Sequence, residues 1–196
     1  MKSSRHILII QGHPDPDPTR FCRVIAANYA RVAEAAGHQI RHIDVAALDF
    51  PVLRSAEDWQ HARACEDILD AQRKIAAADH LVIIYPLWLG EMPALLKAFL
   101  EQCLRPGFAI GDYNQPGGNR RLLQGKSARI IITMGMPGFI YRWFFAAHSL
   151  KSLKRNILSF CGIRPVSSTL FGMIEGSADR RAAYLRKVHS LASHGK

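Results

Sequence analysis

The stretch HILIIQGHPDPDPTR, residues 6–20, decides the fold of this chain. Its first part, His6–Gln11, is a continuous apolar run, and such a run predicts a buried strand. A glycine, a histidine and a cluster of prolines and aspartates follow, which is typical of a loop. Over residues 19–36, apolar side chains recur every three or four positions, which predicts a helix that Gly37 terminates. The chain therefore opens with a strand, a polar loop and a helix.

The same order of elements repeats along the rest of the chain. Apolar runs predict further strands at residues 39–45, 80–85, 128–133 and 166–171. Periodic segments predict helices over residues 55–78, from residue 93, over residues 150–160 and over residues 178–191. Strands that alternate with helices imply a parallel sheet with helices on both faces, because each crossover has to return the chain. We expect a single α/β domain over residues 1–196.

In such a sheet, ligands bind beyond the carboxyl ends of the strands, near the point where the strand order reverses. We expect the loops after the first, third and fourth strands to meet there, at residues 12–20, 86–92 and 134–141. Each loop combines apolar or aromatic side chains with backbone groups that can donate hydrogen bonds. This combination suits a flat, amphiphilic, anionic ligand, and a flavin fits that description.

Several side chains in these loops have both a functional and a structural interpretation. Thr19 and Arg20 stand at a predicted helix start, where a phosphate would bind, although the same segment reads as an ordinary helix cap. Trp88 packs either against the ring system of a ligand or within the core. In the functional interpretation, Tyr141 and His148 are polar donors in an apolar cleft. In the structural interpretation, Tyr141 only packs and His148 lies at the surface. The sequence leaves these alternatives open.

Composition narrows the function classes. The net charge is +10, and the basic excess lies in residues 120–196, which hold 14 basic and 2 acidic side chains. Such an excess suits nucleic acid, an anionic membrane surface or a polyanionic small ligand. The usual patterns of nucleic-acid binding are missing, so we expect no nucleic-acid partner. No apolar run is long enough to span a bilayer, and the four cysteines form no metal-binding pattern. We therefore expect a soluble cytoplasmic protein with no metal and no integral membrane segment.

Five segments carry a resemblance to a known family. They are GHP at 12–14, YPLW at 85–88 with MPALLK at 92–97, PGFA at 106–109, TMG at 133–135 leading to Tyr141, and FCG at 160–162. In this order and spacing they resemble the NAD(P)H:quinone oxidoreductase family, over about residues 7–191. The resemblance implies a flavodoxin-like three-layer sandwich, with a five-stranded parallel sheet in the order 2-1-3-4-5 and helices on both faces.

The resemblance also implies a cofactor and a set of site residues. The cofactor would be FAD, with FMN as the alternative, and NAD(P)H would donate hydride to it for transfer to a quinone or similar acceptor. Residues near the ribityl and phosphate groups would be His13, Thr19 and Phe21, and Arg20, at the predicted helix start, would add a positive charge there. Residues holding the ring would be Pro86, Leu87, Trp88, Leu89, Thr133, Met134 and Gly135. Tyr141 would act at the hydride-transfer site, and His148 lies one position from the family's catalytic histidine, which aligns with Ala147. Phe108 and Trp143 would line the substrate site.

The family further implies a homodimer in which the partner chain closes the substrate cleft. The segment 106–126, with Phe108 and Tyr113, and the aromatic residues Trp143, Phe144 and Phe145 supply apolar groups for such an interface. Two other functions share this fold. One is a one-electron flavodoxin carrier, and the other is an ancillary regulatory subunit of a membrane transporter.

Overall fold

A computed structural model describes residues 4–111 and 120–196 of the chain, so Tyr113 lies outside the described residues. The strands are β1 His6–Gln11, β2 Gln39–Asp44, β3 His80–Pro86, β4 Ser127–Thr133 and β5 Val166–Phe171. The helices are α1 Phe21–Ala35, α2 Ala56–Gln60, α3 Glu66–Ala77, α4 Ala94–Cys103, α5 Gly138–Trp143, α6 His148–Lys151 and α7 Ala178–Ala192. A 3-10 turn occupies Val45–Ala47, and a π-helical segment at Ser152–Leu158 continues α6.

The five strands form one parallel sheet in the order β2-β1-β3-β4-β5, which confirms the predicted fold class. All seven residues of β3, in the middle of the sheet, are buried. Strands covered on both faces have no polar face, and this explains their continuous apolar runs in the sequence. Because the strands are parallel, their carboxyl ends and the loops that follow β1, β3, β4 and β5 share one edge of the sheet.

Two apolar layers cover the two faces of the sheet. On one face, α1 and α7 pack over Ile9, Val82 and Ile131. On the other face, α3, α4 and the segment after α5 pack over Leu8, Ile83 and other alternate strand residues. Alternate residues of each strand point to opposite faces, so each strand contributes to both layers. The result is the predicted sandwich of helices, sheet and helices.

The helix predicted over residues 55–78 is interrupted in the structure. It begins as predicted, because the Ser55 side chain accepts a hydrogen bond from the backbone N–H of Asp58, but α2 ends at Gln60 and α3 starts at Glu66. The buried guanidinium of Arg105 donates to the backbone carbonyls of Asp58 and Ala62, at 3.0 and 2.8 Å. These bonds tie the segment between α2 and α3 to the end of α4, and the chain leaves the helical path there.

The segment after β4 also differs from the prediction. Residues 138–143, expected to be loop, form the short helix α5, and the helix predicted over 150–160 starts at His148 and is partly π-helical. Ala146 and Ala147 separate the two helices, with φ angles of 48° and 47°. This left-handed backbone breaks the helical path, and apolar periodicity carries no information about it.

The amino-terminal edge of the sheet brings the two ends of the described chain together. Arg5 Nη1 donates to the carbonyl oxygen of Gly195 at 3.0 Å, and the Tyr29 hydroxyl donates to the carbonyl oxygen of Lys196 at 3.0 Å. Among the described residues, no helix is long and apolar enough to cross a membrane.

Candidate functional site

A cavity of about 810 Å³ opens at the carboxyl edge of the sheet, beside the start of α1. We call it the carboxyl-edge cavity. Its walls come from the loops after β1, β3 and β5, from the end of β4 and from the faces of α1 and α7 that meet there. The lining residues are His13, Asp15, Thr19, Arg20, Phe21, Cys22, Val24, Pro86, Trp88, Thr133, Ile174, Glu175, Arg181 and Leu185.

The loop after β1 is held by a regular series of hydrogen bonds between residues two apart. The Asp15 N–H donates to His13 Nδ1 at 3.0 Å, the Asp17 N–H to Asp15 Oδ1 at 2.9 Å, and the Thr19 N–H to Asp17 Oδ1 at 2.9 Å. Prolines, which have no N–H, stand at the positions between. The loop therefore satisfies its own backbone donors, and its shape is set without a ligand.

The amino terminus of α1 lies at the cavity. Within the described residues, no side chain caps this helix and its first turn has no acidic residue. The first N–H groups of a helix have no partner inside it, and the helix dipole adds positive potential there. Phe21 and Cys22, the first two helical residues, line the cavity. This arrangement suits a phosphate group.

The cations around this phosphate position already have partners. Arg20 Nε lies 2.7 Å from Asp15 Oδ2, and Arg23 makes a bidentate pair with Asp44 at 2.7 and 3.0 Å. Arg181 donates to the carbonyl of Gly176 at 2.8 Å. Hydrogen bonding to the Asp17 N–H, and then to Arg20, lowers the pKa of Asp15. The carboxylates thus reduce the positive charge that this end of the cavity offers to an anion.

Part of the cavity wall is aromatic, where Trp88 and His13 meet. Trp88 is 48% exposed and meets His13 edge to face, with ring centroids 5.7 Å apart. A tight turn holds Trp88, because its N–H and C=O both bond to the backbone of Glu91 at 2.9 Å. The turn passes through Leu89 and Gly90 at φ angles of 48° and 82°. Trp88 therefore offers a flat face at the cavity wall, whereas Leu89 is fully exposed and outside the lining.

A thiol–hydroxyl contact forms part of the cavity floor. Cys22 Sγ on α1 lies 3.1 Å from Thr133 Oγ1 at the end of β4, and both side chains are buried. Burial raises the pKa of Cys22 to about 12, so the thiol is protonated at neutral pH. The contact joins the first turn of α1 to the end of β4.

The remaining ring-binding candidates lie near this floor without lining it. The Leu87 N–H donates to the Thr133 carbonyl at 2.8 Å, which joins the ends of β3 and β4. Met134 is 3% exposed and belongs to the core. Gly135 is exposed, and a Cβ built on it would lie 3.9 Å from Glu175 Oε1, which leaves room for a ligand above its backbone.

Four residues predicted for catalysis or substrate contact lie outside the carboxyl-edge cavity. The Tyr141 hydroxyl is buried, 2.6 Å from Ser149 Oγ, and accepts a hydrogen bond from the Leu150 N–H at 3.1 Å. His148 is exposed, Trp143 is 81% exposed, and Phe108 packs half-buried against the core. The structure does not bring these four together with His13 and Trp88, and their roles stay predictions.

The sequence reasoning missed the contribution of the last crossover. Ile174 and Glu175, after β5, and Arg181 and Leu185, on α7, close one side of the cavity. The sequence predicts the site at the loops after the first, third and fourth strands. The fifth strand ends at the same edge. The residues that follow it, Gly172, Glu175 and Gly176, were the sequence signal for a further loop at the site.

A doubly wound parallel sheet with a cavity at its carboxyl edge is the architecture of α/β proteins that bind small ligands at that edge. Residues 5–192 match the family described as Flavodoxin-like fold, and the chain belongs to that family. Two curated relatives illustrate its range. The chain is 33% identical over 171 residues to an uncharacterized NAD(P)H oxidoreductase of Haemophilus influenzae, covering 85% of this chain and 83% of that protein. It is 28% identical to the glutathione-regulated potassium-efflux system ancillary protein KefG of Shigella dysenteriae, covering 73% and 65%.

Solved structures show the same architecture. The NAD(P)H:quinone oxidoreductase of Methanothermobacter marburgensis superposes with a TM-score of 0.82 at 22% identity, covering 97% of this chain and 96% of that chain. An FMN-dependent NADH-azoreductase of Bacillus anthracis, solved in complex with FMN, superposes with a TM-score of 0.74 at 17% identity, covering 96% and 98%. The family relation predicted from the five sequence segments is confirmed.

Proposed function

We propose that this protein is a flavin-dependent NAD(P)H oxidoreductase that passes two electrons to a quinone or a similar acceptor. The observation that carries the proposal is the carboxyl-edge cavity, which the uncapped start of α1 and the aromatic side chain of Trp88 both line. A flavin has an anionic phosphate at one end and a flat ring at the other. The oxidoreductase named among the relatives supports the reaction class.

The chain's own residues would bind and orient the cofactor. The N–H groups of Phe21 and Cys22 would receive the phosphate, and Trp88 would flank the ring above the floor at Thr133. The Thr19 hydroxyl donates to Asp17 Oδ1 at 2.7 Å and so satisfies part of a carboxylate beside this position. His13 Nδ1 accepts the Asp15 N–H, so the proton of the neutral imidazole is on Nε2, where it is a donor. Burial lowers the pKa of His13, which favours this neutral form. The bound flavin supplies the hydride chemistry.

Of the two flavin nucleotides, we propose FMN rather than the FAD favoured by the family resemblance. The carboxylates of Asp15 and Asp17 stand at the phosphate end and engage Arg20. A second phosphate would add negative charge beside them, and Arg181, the lining arginine described without a carboxylate partner, already donates from Nη1 to the carbonyls of Ile174 and Gly176. FMN is also the cofactor of the azoreductase with this fold.

Cofactor identity is tested by purifying the protein, recording its absorbance spectrum and identifying the released compound by mass spectrometry. Titration with FMN, FAD and riboflavin then measures each affinity. We expect FMN to bind most tightly, and at 100 times its Kd it should stabilise the fold by about 2.7 kcal/mol. A protein that binds none of the three would overturn the proposal.

Thr19→Ala tests the phosphate position directly. Because the Thr19 hydroxyl donates to Asp17 Oδ1, its loss leaves that carboxylate less satisfied beside the phosphate. The variant should weaken FMN binding by about fivefold and leave riboflavin binding unchanged. Equal weakening of both ligands would place the phosphate elsewhere.

NADPH oxidation with menadione as acceptor separates the enzyme from a one-electron carrier, which would not turn over with NADPH alone. The KefG relative supports a second candidate, an ancillary role at a membrane transporter. Stable co-purification with a membrane transporter, together with no NADPH oxidation by the FMN-loaded protein, would favour that candidate.

The proposed enzyme is a homodimer in the cytoplasm. Trp143 and Phe144 are each 81% exposed, and Phe145 is 42% exposed, which is the apolar surface a second copy would cover. The four cysteines are free thiols, as expected in a reducing compartment.

A further inference from the structure

A second cavity, of about 600 Å³, lies between α2, α4 and the end of the π-helical segment. We call it the α2–α4 cavity. It shares no lining residue with the carboxyl-edge cavity. Its floor is formed by buried apolar side chains such as Leu100, Leu104 and Cys161. Its volume is within the range of small-molecule sites, and the proposed function makes no use of it.

The walls of the α2–α4 cavity are fixed to each other. Arg105, only 6% exposed, donates from α4's end to the carbonyls of Asp58 and Ala62, which positions α2. Gln102, also buried, donates from α4 to the carbonyl of Pro51 at 2.7 Å, which positions the segment before α2. Buried side chains that bond to backbone carbonyls hold a wall in one place. The cavity is therefore preformed.

Two aromatic rings and two cations give this cavity its chemistry. Trp59 of α2 and Phe160, which is 46% exposed, supply flat apolar faces. Lys97 already pairs with the Glu101 carboxylate. Arg54 has no carboxylate within salt-bridge distance in the part of the chain described, and only its backbone N–H is engaged, by Asp58 at 3.1 Å. The guanidinium is thus a free positive group held at the start of α2.

We propose that the α2–α4 cavity is a second binding site, which takes a small aromatic anion such as an aryl carboxylate or sulfonate. The ring lies against Trp59 and Phe160 over the apolar floor, and the anionic group bonds to Arg54. A guanidinium binds carboxylate and sulfonate groups through two parallel hydrogen bonds, and this gives the site its preference for an anion. The site is separate from the flavin site, so both can be filled at once.

The test is isothermal titration of 2-naphthalenesulfonate into the purified protein loaded with FMN, with the neutral 2-naphthalenemethanol as the comparison ligand. We expect one saturable site for the sulfonate, with tighter binding than the neutral compound. Arg54→Gln should weaken sulfonate binding about tenfold and leave the neutral compound unchanged. Arg186→Gln, an exposed arginine on α7 away from this cavity, should change neither affinity.

Further outcomes decide against the proposal. If sulfonate binding does not saturate, or if Arg54→Gln and Arg186→Gln weaken it equally, the sulfonate is held only by general attraction to a basic protein. Displacement of FMN by the sulfonate would place the ligand in the other cavity. Loss of a dimer in Arg54→Gln, without sulfonate binding to the parent protein, would make this face an interface between copies.

Phe160→Ser tests the aromatic wall of the cavity. The substitution, at a half-exposed position, should weaken the binding of both ligands without unfolding the chain.

Discussion

Tyr141 shows how one hydroxyl can belong to the core and still be a candidate for catalysis. Its oxygen bonds to Ser149 Oγ and accepts the Leu150 N–H, a first-turn donor of α6 that has no helical partner. Tyr141→Phe would leave these two buried groups without a partner. We therefore expect the free energy of unfolding to fall by about 1–3 kcal/mol in urea denaturation.

The catalytic interpretation of Tyr141 makes a separate prediction about rate. In the flavin-loaded Tyr141→Phe variant, stopped-flow reduction by NADPH should proceed at the parent rate if the hydroxyl serves only the core. A decrease of about 100-fold would show that the hydroxyl reaches the reacting centre during turnover. Ser149→Ala is the matched control, since it removes the same buried contact and keeps the phenol.

His80 predicts an acid-sensitive fold. Burial, with a further contribution from the nearby Arg5 and Arg129, lowers the pKa of His80 from 6.5 to about 4. The unfolded chain binds a proton on this side chain near pH 6.5, and the folded chain does so only near pH 4. The free energy of unfolding should therefore decrease as the pH falls from 6.5 to 4, by up to about 3 kcal/mol.

The contribution of His80 is isolated by comparing pH profiles of unfolding. His80→Gln should flatten the decrease between pH 6.5 and 4. His61→Gln, at an exposed position after α2, should leave the slope unchanged. Parallel profiles for the parent and His80→Gln would contradict the assignment.

At the scale of elements, the end of β5 and the start of α5 approach each other closely at Gly172. A Cβ on Gly172 would lie 2.4 Å from the Gly138 nitrogen and 2.7 Å from the Met136 carbonyl oxygen, and backbone atoms cannot move aside easily. Gly172→Ala should force β5 and the start of α5 apart and cost about 1–3 kcal/mol in urea denaturation. Gly135→Ala is the control, since only Glu175 Oε1 lies within 4 Å of its Cβ position, and its stability should change by less than about 0.5 kcal/mol.

The elements also show what the sequence could and could not predict. The strands and the helices α1, α4 and α7 were predictable because apolar periodicity reports burial on the faces of the sheet. The break between α2 and α3 was not, because it depends on Arg105, 43 residues beyond Ala62. For the site, His13 and Trp88 followed from the strand ends, but Arg181 did not, since nothing local in α7 shows that it faces the cavity.

At the scale of the whole molecule, charge is distributed in two parts. Every salt bridge among the described residues involves positions 15–101, and none involves the basic residues beyond 119. The carboxyl-terminal part, residues 120–196, therefore carries positive charge that is not neutralised locally, and a second copy would have to pair without bringing these cations together.

Light scattering tests the proposed homodimer. We expect the mass of two chains at micromolar concentration, and the double variant Trp143→Ser with Phe144→Ser should shift the mass toward one chain. Val52→Ser, which removes a 59% exposed apolar side chain elsewhere, should leave the mass unchanged. A parent protein with the mass of one chain, flavin-loaded and active, would contradict the dimer.

The contact between Arg5 and Gly195 makes the chain suitable for circular permutation. Both ends lie at the edge of the sheet opposite the carboxyl-edge cavity, so a short glycine-serine linker can join residue 196 to residue 4 without crossing either face. New ends placed between Arg63 and Ala64, in the irregular segment before α3, interrupt no strand. The permuted chain should bind FMN with the affinity of the parent, because the order of segments along the polypeptide changes and the cavity does not.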